Sequence, residues 1–348
     1  DKHSMDPYIN DILSQPDALR RALGAFPREA LQELAGRIYA GVFDCVVITG
    51  MGASYNAAYP ALLALSGLPV PVQLVDTAEL LHYQPGLVGP RTLLWLNSQS
   101  GYSAEPVRLL ERLRDRRPGF ILTCTNDPNS TMAHAADLNV DIAAGPEFTV
   151  SAKTYTNMLA TLMQCAAVLR GEGLDSLRAS LHGAADAMQT YLAGWQAEVS
   201  RLDQLTRGIA GMTVLARGPS LSTLWNGTLI LKEAAKVAFE GINAAEFRHG
   251  PLELVEPGFT ALVIAGAGRT RALNVGPGEE ILRYGGDVFW LAAQPQAGFT
   301  HLPIPPVDEA ALPLLEILPF EMLTLAYAPR KGFKAGHFRY IEKVTKKE

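Results

Sequence analysis

The sequence has few of the features that mark several classes of protein. Its 348 residues include three cysteines, Cys45, Cys124 and Cys165, which lie far apart without CxxC spacing. We therefore expect reduced core thiols, and neither a disulfide framework nor a zinc site. There is no run of about 18 apolar residues, as a membrane span would need, and no basic segment leading into an apolar one, as in a signal peptide. Residues 1–4, before Met5, are interpreted as an expression scar.

The chain also has little net charge. It carries a formal charge of −5, with 48% hydrophobic and 19% charged residues, and its pI is about 5.9. This balance disfavours nucleic acid or an anionic membrane as the main partner. The composition is that of an ordinary globular protein, and the length suggests about two domains. Because the sequence shows neither a membrane span nor a signal peptide, we expect a cytoplasmic protein.

Short apolar runs alternate with helical patterns along most of the chain. Such alternation predicts βαβ units and parallel sheets that are covered on both faces. The pattern occurs twice, which predicts an α/β fold of two flavodoxin-like, doubly wound parallel-sheet domains in tandem. The predicted strands are 45–48, 70–75, 92–96, 120–124, 212–216, 260–265 and 287–292. The predicted domains are a helical segment (1–40), domains at 41–195 and 196–330, and a tail (331–348) that reaches the active site.

Two turns of the first half carry small polar residues where predicted strands end. The turns read ITGMGAS at 48–54 and NSQSGYSAE at 97–105. Ligands of open parallel sheets bind at the carboxyl ends of strands, and helix N-termini attract phosphate there. Hydroxyls and a glutamine side chain supply further hydrogen bonds, and two glycines allow close approach to the backbone. The residues concerned are Gly52, Ser54, Ser98, Gln99, Ser100, Gly101 and Ser103.

Two other interpretations of these turns compete with a phosphate site. Polar residues of this kind also form ordinary turns and N-caps, with no ligand. A dinucleotide site would need a third glycine and an acidic ribose partner, and both are missing. A phosphate site is thus the favoured prediction for the first half.

The second half supplies residues suited to proton transfer. Glu233 lies within a predicted helix over 221–239, and His249 lies in the stretch Glu246–Pro251. A carboxylate and an imidazole together can move protons on a sugar. Taken singly, each residue is also compatible with a solvated surface position. No cluster of metal ligands is evident, so we expect neither a metal nor a cofactor.

These motifs occur in an order that resembles the sugar isomerase (SIS) family, in particular the tandem isomerase half of glutamine–fructose-6-phosphate aminotransferases. The resemblance covers about 30–345 and rests on these stretches: Gly52-Ala53-Ser54, Ser98-Gln99-Ser100-Gly101, Ser103, Gly145–Lys153, Lys232-Glu233 and Glu246–Pro251.

The resemblance implies a role for each matching residue. Gly52, Ala53 and Ser54 would bind the sugar phosphate, as would Ser98, Gln99, Ser100 and Ser103. Val150 and Ser151 would contact the sugar. Glu233 would move a proton between C1 and C2, and Lys343 would lie near the sugar carbonyl. His249 would assist ring opening from the neighbouring subunit of a homodimer.

Departures from the family pattern limit what is carried over. We expect no glutaminase domain and no glutamine-driven amination, because no N-terminal cysteine nucleophile is present. Ala53 replaces a threonine, and the stretch around Val150 is one residue shorter. The predicted function is an isomerase or deaminase acting on a hexose or amino-hexose phosphate. Two alternatives stay open, a deglycase of fructosamine phosphates and a non-catalytic sugar-phosphate sensor.

Overall fold

The computed structural model describes residues 6–24 and 26–347, so the proposed expression scar lies outside the described residues. The chain packs as two compact units. The first unit contains Ser14–His182 and Tyr340–Glu348, and the second contains Asp1–Leu13 and Gly183–Arg339. The domain boundaries expected from the sequence stay predictions, because packing units need not coincide with domains.

The first unit is built on one parallel sheet. Its strands are β1 (Cys45–Gly50), β2 (Val72–Asp76), β3 (Thr92–Asn97), β4 (Phe120–Thr125) and β5 (Leu138–Asp141), in the order β2-β1-β3-β4-β5. Its helices are α2 (Gln15–Ala22), α3 (Arg28–Tyr39), α4 (Gly52–Ala64), α5 (Thr77–His82), α6 (Ala104–Arg112), α7 (Thr131–Ala135) and α8 (Lys153–Leu169). This strand order is that of flavodoxin-like folds, whose switch point lies between β1 and β3.

Both faces of this sheet are covered, as its continuous apolar strands predict. All six residues of β3 are buried. Leu80 of α5, Leu109 of α6 and Met132 of α7 form one core with Val47 and Leu94 of the sheet. Helices α2, α3 and α4 pack against α8, every residue of which is buried.

The second unit repeats the same strand order. Its strands are β6 (Thr213–Ala216), β7 (Glu240–Asn243), β8 (Thr260–Ile264), β9 (Asp287–Ala292) and β10 (Thr300–Pro303), arranged β10-β9-β8-β6-β7 and all parallel. Its helices are α1 (Pro7–Leu13), α10 (Trp195–Leu205), α11 (Leu221–Ile230), α12 (Arg271–Arg283) and α13 (Leu312–Arg330), while α9 (Leu174–Leu192) contains the boundary between the units. The prediction of two doubly wound parallel sheets in tandem is therefore confirmed.

One helical stretch passes a simple test for a membrane span. Glu309–Arg330 is long and apolar enough to cross a bilayer, but 94% of its apolar window is buried inside the protein. Buried core helices of soluble proteins have the same property. Two glutamates of this stretch, Glu316 and Glu321, are buried as well.

The structure corrects several sequence predictions. The helix expected over 221–239 is shorter than predicted: the α-helix ends at Ile230, and a π-helical turn, Leu231–Ala235, follows it. Strands β5, β7 and β10 were not predicted. The three cysteines are free, as expected, and Cys124 and Cys165 are buried.

Candidate functional site

The candidate site begins at the crevice between β1 and β3. The two strands are paired in register, with Gly50 opposite Asn97, so their carboxyl ends lie side by side. The turn into α4 follows β1, and residues 98–103, here called the serine loop, follow β3. Sheets of this topology bind ligands at this switch point.

The serine loop is held by its own side chains. Ser98 Oγ accepts a hydrogen bond from the Gly101 N–H at 3.1 Å and shares another with Ser103 Oγ at 3.3 Å. Ser100 Oγ accepts one from the Tyr102 N–H at 3.1 Å. The turn after β1 is joined to the loop, since Ser54 Oγ accepts from the Gln99 N–H at 3.3 Å. The structure thus brings together Ser54 and the four predicted residues of the serine loop.

Gly101 is required where the loop turns. Its φ is +70°, and a Cβ at this position would lie 2.1 Å from Ser130 Oγ. Either condition alone favours glycine. Tyr102, the next residue, is exposed, and its hydroxyl donates to Asp127 Oδ2 at 3.0 Å, which raises the pKa of the tyrosine.

The loop keeps hydrogen-bond donors for a ligand. Among the described residues, the backbone N–H groups of Ser100 and Ser103 have no acceptor. Ser103 stands at the N-cap position of α6, but its side chain makes no capping hydrogen bond. Unpaired N–H groups at a helix N-terminus form an anion site. The alternative prediction, in which Ser103 serves as a side-chain cap, is wrong.

The last part of the C-terminal tail, from Tyr340 onward, belongs to the same unit and reaches this region. The Ala104 N–H, at the start of α6, donates to the Thr345 carbonyl at 3.0 Å. Lys343 Nζ lies 2.6 Å from Glu147 Oε2 and 2.7 Å from the Thr149 carbonyl. The structure therefore places Lys343 beside the predicted sugar-contact stretch.

The other predicted residues of the first unit differ in exposure. Gly52 is exposed with φ +52° at the start of α4, and Ala53 is half-buried. Val150 is fully buried. Ser151 is half-buried, and its hydroxyl lies 2.7 Å from Thr154 Oγ1.

Glu233 lies in the second unit, on the π-helical turn. Its side chain is half-buried, and its carbonyl accepts a hydrogen bond from Lys236 Nζ. Lys236 has φ +58°, which is unusual for a residue other than glycine. Desolvation, with the positive charge of Arg339 as a smaller cause, lowers the pKa of Lys236. Single π turns within helices are frequent at functional sites.

His249 also lies in the second unit. It ends the short 3-10 turn Glu246–His249 and is exposed. Gly250 follows with φ +147°, and Phe247 anchors the turn in the core. The imidazole is thus presented on the surface of the second unit.

Two residues that were not predicted as site residues, Glu147 and Thr154, link predicted residues to each other. Thr154 contacts Ser151 and also donates to Glu147 Oε2, which binds Lys343. The only hint of this role in the sequence was the position of Glu147, a few residues before the long apolar helix α8. Among residues 6–24 and 26–347, no group of three or more His, Cys, Asp and Glu side chains could hold a metal ion.

Comparisons with known proteins identify the fold. Residues 44–168 match the SIS domain family. The chain is 27% identical over 336 residues to the glutamine–fructose-6-phosphate aminotransferase (isomerizing) of Thermococcus kodakarensis, covering 93% of this chain and 55% of that protein. The C-terminal domain of the Francisella tularensis glucosamine-fructose-6-phosphate aminotransferase superposes with a TM-score of 0.83 at 20% identity, over 96% of this chain and 99% of that one. A glucosamine-6-phosphate deaminase from Thermotoga maritima gives 0.76 at 17% identity, over 98% and 99%.

The chain therefore contains a region, residues 44–168, that matches the SIS domain family, and it repeats the same strand order in its second unit. More particularly, it resembles the isomerase half of glutamine–fructose-6-phosphate aminotransferase, as the sequence motifs indicated. It spans about 55% of the length of that curated relative. At 17% and 20% identity, the two structural matches establish the shared fold.

Proposed function

We propose that this chain binds a hexose or amino-hexose phosphate and catalyses its isomerisation or deamination. The observation that carries the proposal is the serine loop, with its unpaired Ser100 and Ser103 N–H groups at the switch point of the first sheet. The related proteins act on phosphosugars by name. The match of residues 44–168 to the SIS family supports placing the phosphate at this loop.

The physical chemistry of the loop favours a phosphate over a neutral group. The positive end of the α6 dipole and the unpaired N–H groups attract negative charge. The hydroxyls of Ser54, Ser98 and Ser100 accept hydrogen bonds from backbone N–H groups through their oxygens, and each still has an O–H that can turn toward a phosphate oxygen. A sugar lacking the phosphate would lose these contacts.

The reaction proposed is a proton transfer within an open-chain sugar. His249 of the partner subunit would assist ring opening in a homodimer. Glu233 would take the proton from C2 of the aldose and return it to C1, which gives the ketose without oxidant or reductant. For a 2-amino sugar, the same transfer gives a C2 imine. Water then adds to C2 and ammonia leaves, so that a ketose phosphate is formed.

A related chemistry is the second candidate. A deglycase would release an amino acid from a fructosamine phosphate through the same type of intermediate. The short stretch between Glu147 and Lys153 differs from the family pattern, so the group held beside the sugar can differ too. The products distinguish the three reactions: isomerisation gives a ketose phosphate without ammonia, deamination gives a ketose phosphate with ammonia, and deglycation releases a free amino acid.

A thermal-shift panel tests the binding part of the proposal. Hexose and amino-hexose phosphates are compared with their unphosphorylated partners. A ligand at 100 times its Kd should add about 2.7 kcal/mol to the free energy of unfolding. We expect a rise in melting temperature with phosphorylated sugars only. Ser100→Ala should abolish it, and Ser176→Ala, an exposed serine of α9, should not.

Turnover assays with the best ligand test the catalytic part. Glu233→Gln should lower kcat by about 100-fold or more, the usual contribution of an acid–base group, and leave the thermal shift intact. Tight binding without turnover of any ligand would contradict the enzyme and favour the sensor. If no sugar phosphate shifts the melting temperature, the proposed function is wrong.

A further inference from the structure

Glu147 is a buried carboxylate with every acceptor position in use. Its side chain is 0% exposed. Oε1 accepts from the Ala152 N–H at 3.0 Å and the Thr154 N–H at 3.2 Å. Oε2 accepts from the Thr154 hydroxyl and from Lys343 Nζ, which lies 2.6 Å away. Two carboxylate oxygens offer about four acceptor sites, so Glu147 has no lone pair left for a substrate proton.

Lys343, in contrast, keeps one donor that has no acceptor among residues 6–24 and 26–347. An ammonium group has three N–H bonds. Two are directed to Glu147 and to the Thr149 carbonyl, and the side chain remains 18% exposed. Because a buried carboxylate compensates the charge of Lys343, the ammonium is fixed in place and keeps one N–H for another acceptor.

A continuous chain of contacts joins Lys343 to Ser151. It runs from Ser151 Oγ to Thr154 Oγ1, then to Glu147 and to Lys343. The two ends are residues predicted to touch the sugar, and the two middle members are buried. The start of α8 favours a carboxylate here, because the N-terminus of a helix stabilises negative charge.

We infer that Glu147 is a positioning residue that holds the Lys343 ammonium against an oxygen of the bound sugar. This inference rests on the proposed function and adds a specific residue to it. Glu147 acts through Lys343 and does not exchange a proton with substrate. A purely structural latch would fix the tail but would leave Lys343 without a role toward the ligand.

Chemical labelling of lysines tests the geometry without any turnover. The full-length protein is treated with a limiting amine-reactive acylating reagent, and mass spectrometry gives the rate at each lysine. Exposed Lys346 and Lys347 of the same tail are internal references. In the wild type, Lys343 should react markedly more slowly than both, because its ammonium is engaged by Glu147 and by the Thr149 carbonyl and its side chain is only 18% exposed. Equal rates would overturn the inference, even if no variant folds.

Variants then separate Glu147 from its surroundings. In Glu147→Gln the amide oxygen can still accept the two backbone N–H bonds, but the amide NH₂ faces the ammonium. Labelling of Lys343 should rise to the rate of Lys346. The control Glu342→Gln changes an exposed carboxylate beside Lys343 and should leave the rate unchanged. Fructose 6-phosphate should slow labelling of wild-type Lys343 further, and inorganic phosphate should not.

A double-mutant cycle tests the role in catalysis. Lys343→Met and Glu147→Gln should each lower kcat, by up to about 100-fold as expected for a lost positioning contact, and keep KM within about threefold because the serine loop is unchanged. The double variant should match Lys343→Met within about twofold, since residues that act as a unit are not additive. A further loss in the double variant, or a rise in KM alone, would overturn the inference. If the wild type turns nothing over, the proposed function fails, and labelling with and without fructose 6-phosphate still decides the role of Glu147.

Discussion

Gly101→Ala should damage the serine loop through two separable effects. The alanine would keep φ near +70° and place its Cβ 2.1 Å from Ser130 Oγ and 2.4 Å from Ser130 Cβ. The left-handed conformation costs about 1–2 kcal/mol for a residue with a Cβ. Overpacking against a buried neighbour adds about 1–3 kcal/mol. The free energy of unfolding should therefore fall by about 2–5 kcal/mol.

Gly171→Ala is the matched control for this substitution. Gly171 lies in the same unit and has φ +75°, and a Cβ added there would have no other atom within 4 Å. Only the conformational cost of about 1–2 kcal/mol applies there. The difference between the two variants, measured by urea unfolding under identical conditions, isolates the steric contribution of Ser130.

The same variants report on binding. Gly101→Ala should also weaken the thermal shift given by a sugar phosphate, because relief of the clash moves the Ser100 and Ser103 N–H groups. Gly101→Ala/Ser130→Gly should recover part of both losses, since the second change removes the clashing side chain. Stability within about 0.5 kcal/mol of wild type for Gly101→Ala, the level of a neutral surface change, would refute the reasoning.

Two other substitutions give sharp expectations. Asp76 accepts hydrogen bonds from the Ala78 and Glu79 N–H groups at the start of α5, so Asp76→Ala should lower the free energy of unfolding in urea by about 1 kcal/mol. Ser103→Ala should lower it by less than half of that, because the Ser103 side chain makes no capping hydrogen bond. Equal losses in the two variants would contradict this assignment of caps. Burial raises the pKa of Glu316 from 4.5 to about 7. The stabilisation that comes from the bound proton is therefore complete below pH 4.5, and about 3 kcal/mol of the unfolding free energy is lost as the pH rises to 7. Glu316→Gln should remove this pH dependence. If the unfolding free energy of the variant changed with pH as steeply as that of the wild type, the assignment to Glu316 would be contradicted.

The sequence predicted the first unit better than the second. A short, continuous apolar run such as β3 is best accommodated as a strand buried on both faces of a sheet. The Gly and Ser turns that follow such strands then lie at the carboxyl edge of the sheet, where ligands bind. Strands β5, β7 and β10 have four residues each and read LNVD, EGIN and THLP, so they lack the apolar run that revealed the equally short β6, TVLA. Short edge strands are defined by pairing with a neighbour, which no local pattern reveals.

The candidate site was predictable only where residue type carries the chemistry. Hydroxyls and glycines after a strand predict an anion site, so the serine loop could be found. The link between Glu147 and Lys343 spans 196 positions, and no local rule connects them. The π turn at Glu233 could not be predicted either, because Leu231–Ala235 has ordinary helical propensity and the left-handed Lys236 that follows it depends on tertiary packing.

The two units differ at the turn that follows their first strand, β1 or β6, where an anion could bind. In the first unit, the Ser54 hydroxyl accepts a hydrogen bond from the Gln99 N–H of the serine loop. The Ser100 and Ser103 N–H groups of this loop have no acceptor among the described residues. In the second unit, the turn after β6 directs the Ser220 hydroxyl to Glu316 Oε1 at 2.8 Å, and Thr223 bonds Oε2 at 3.1 Å. A phosphate placed there would meet a buried carboxyl group that already uses these donors. If the proposed function is correct, this comparison favours a phosphate at the turn after β1 over one at the turn after β6.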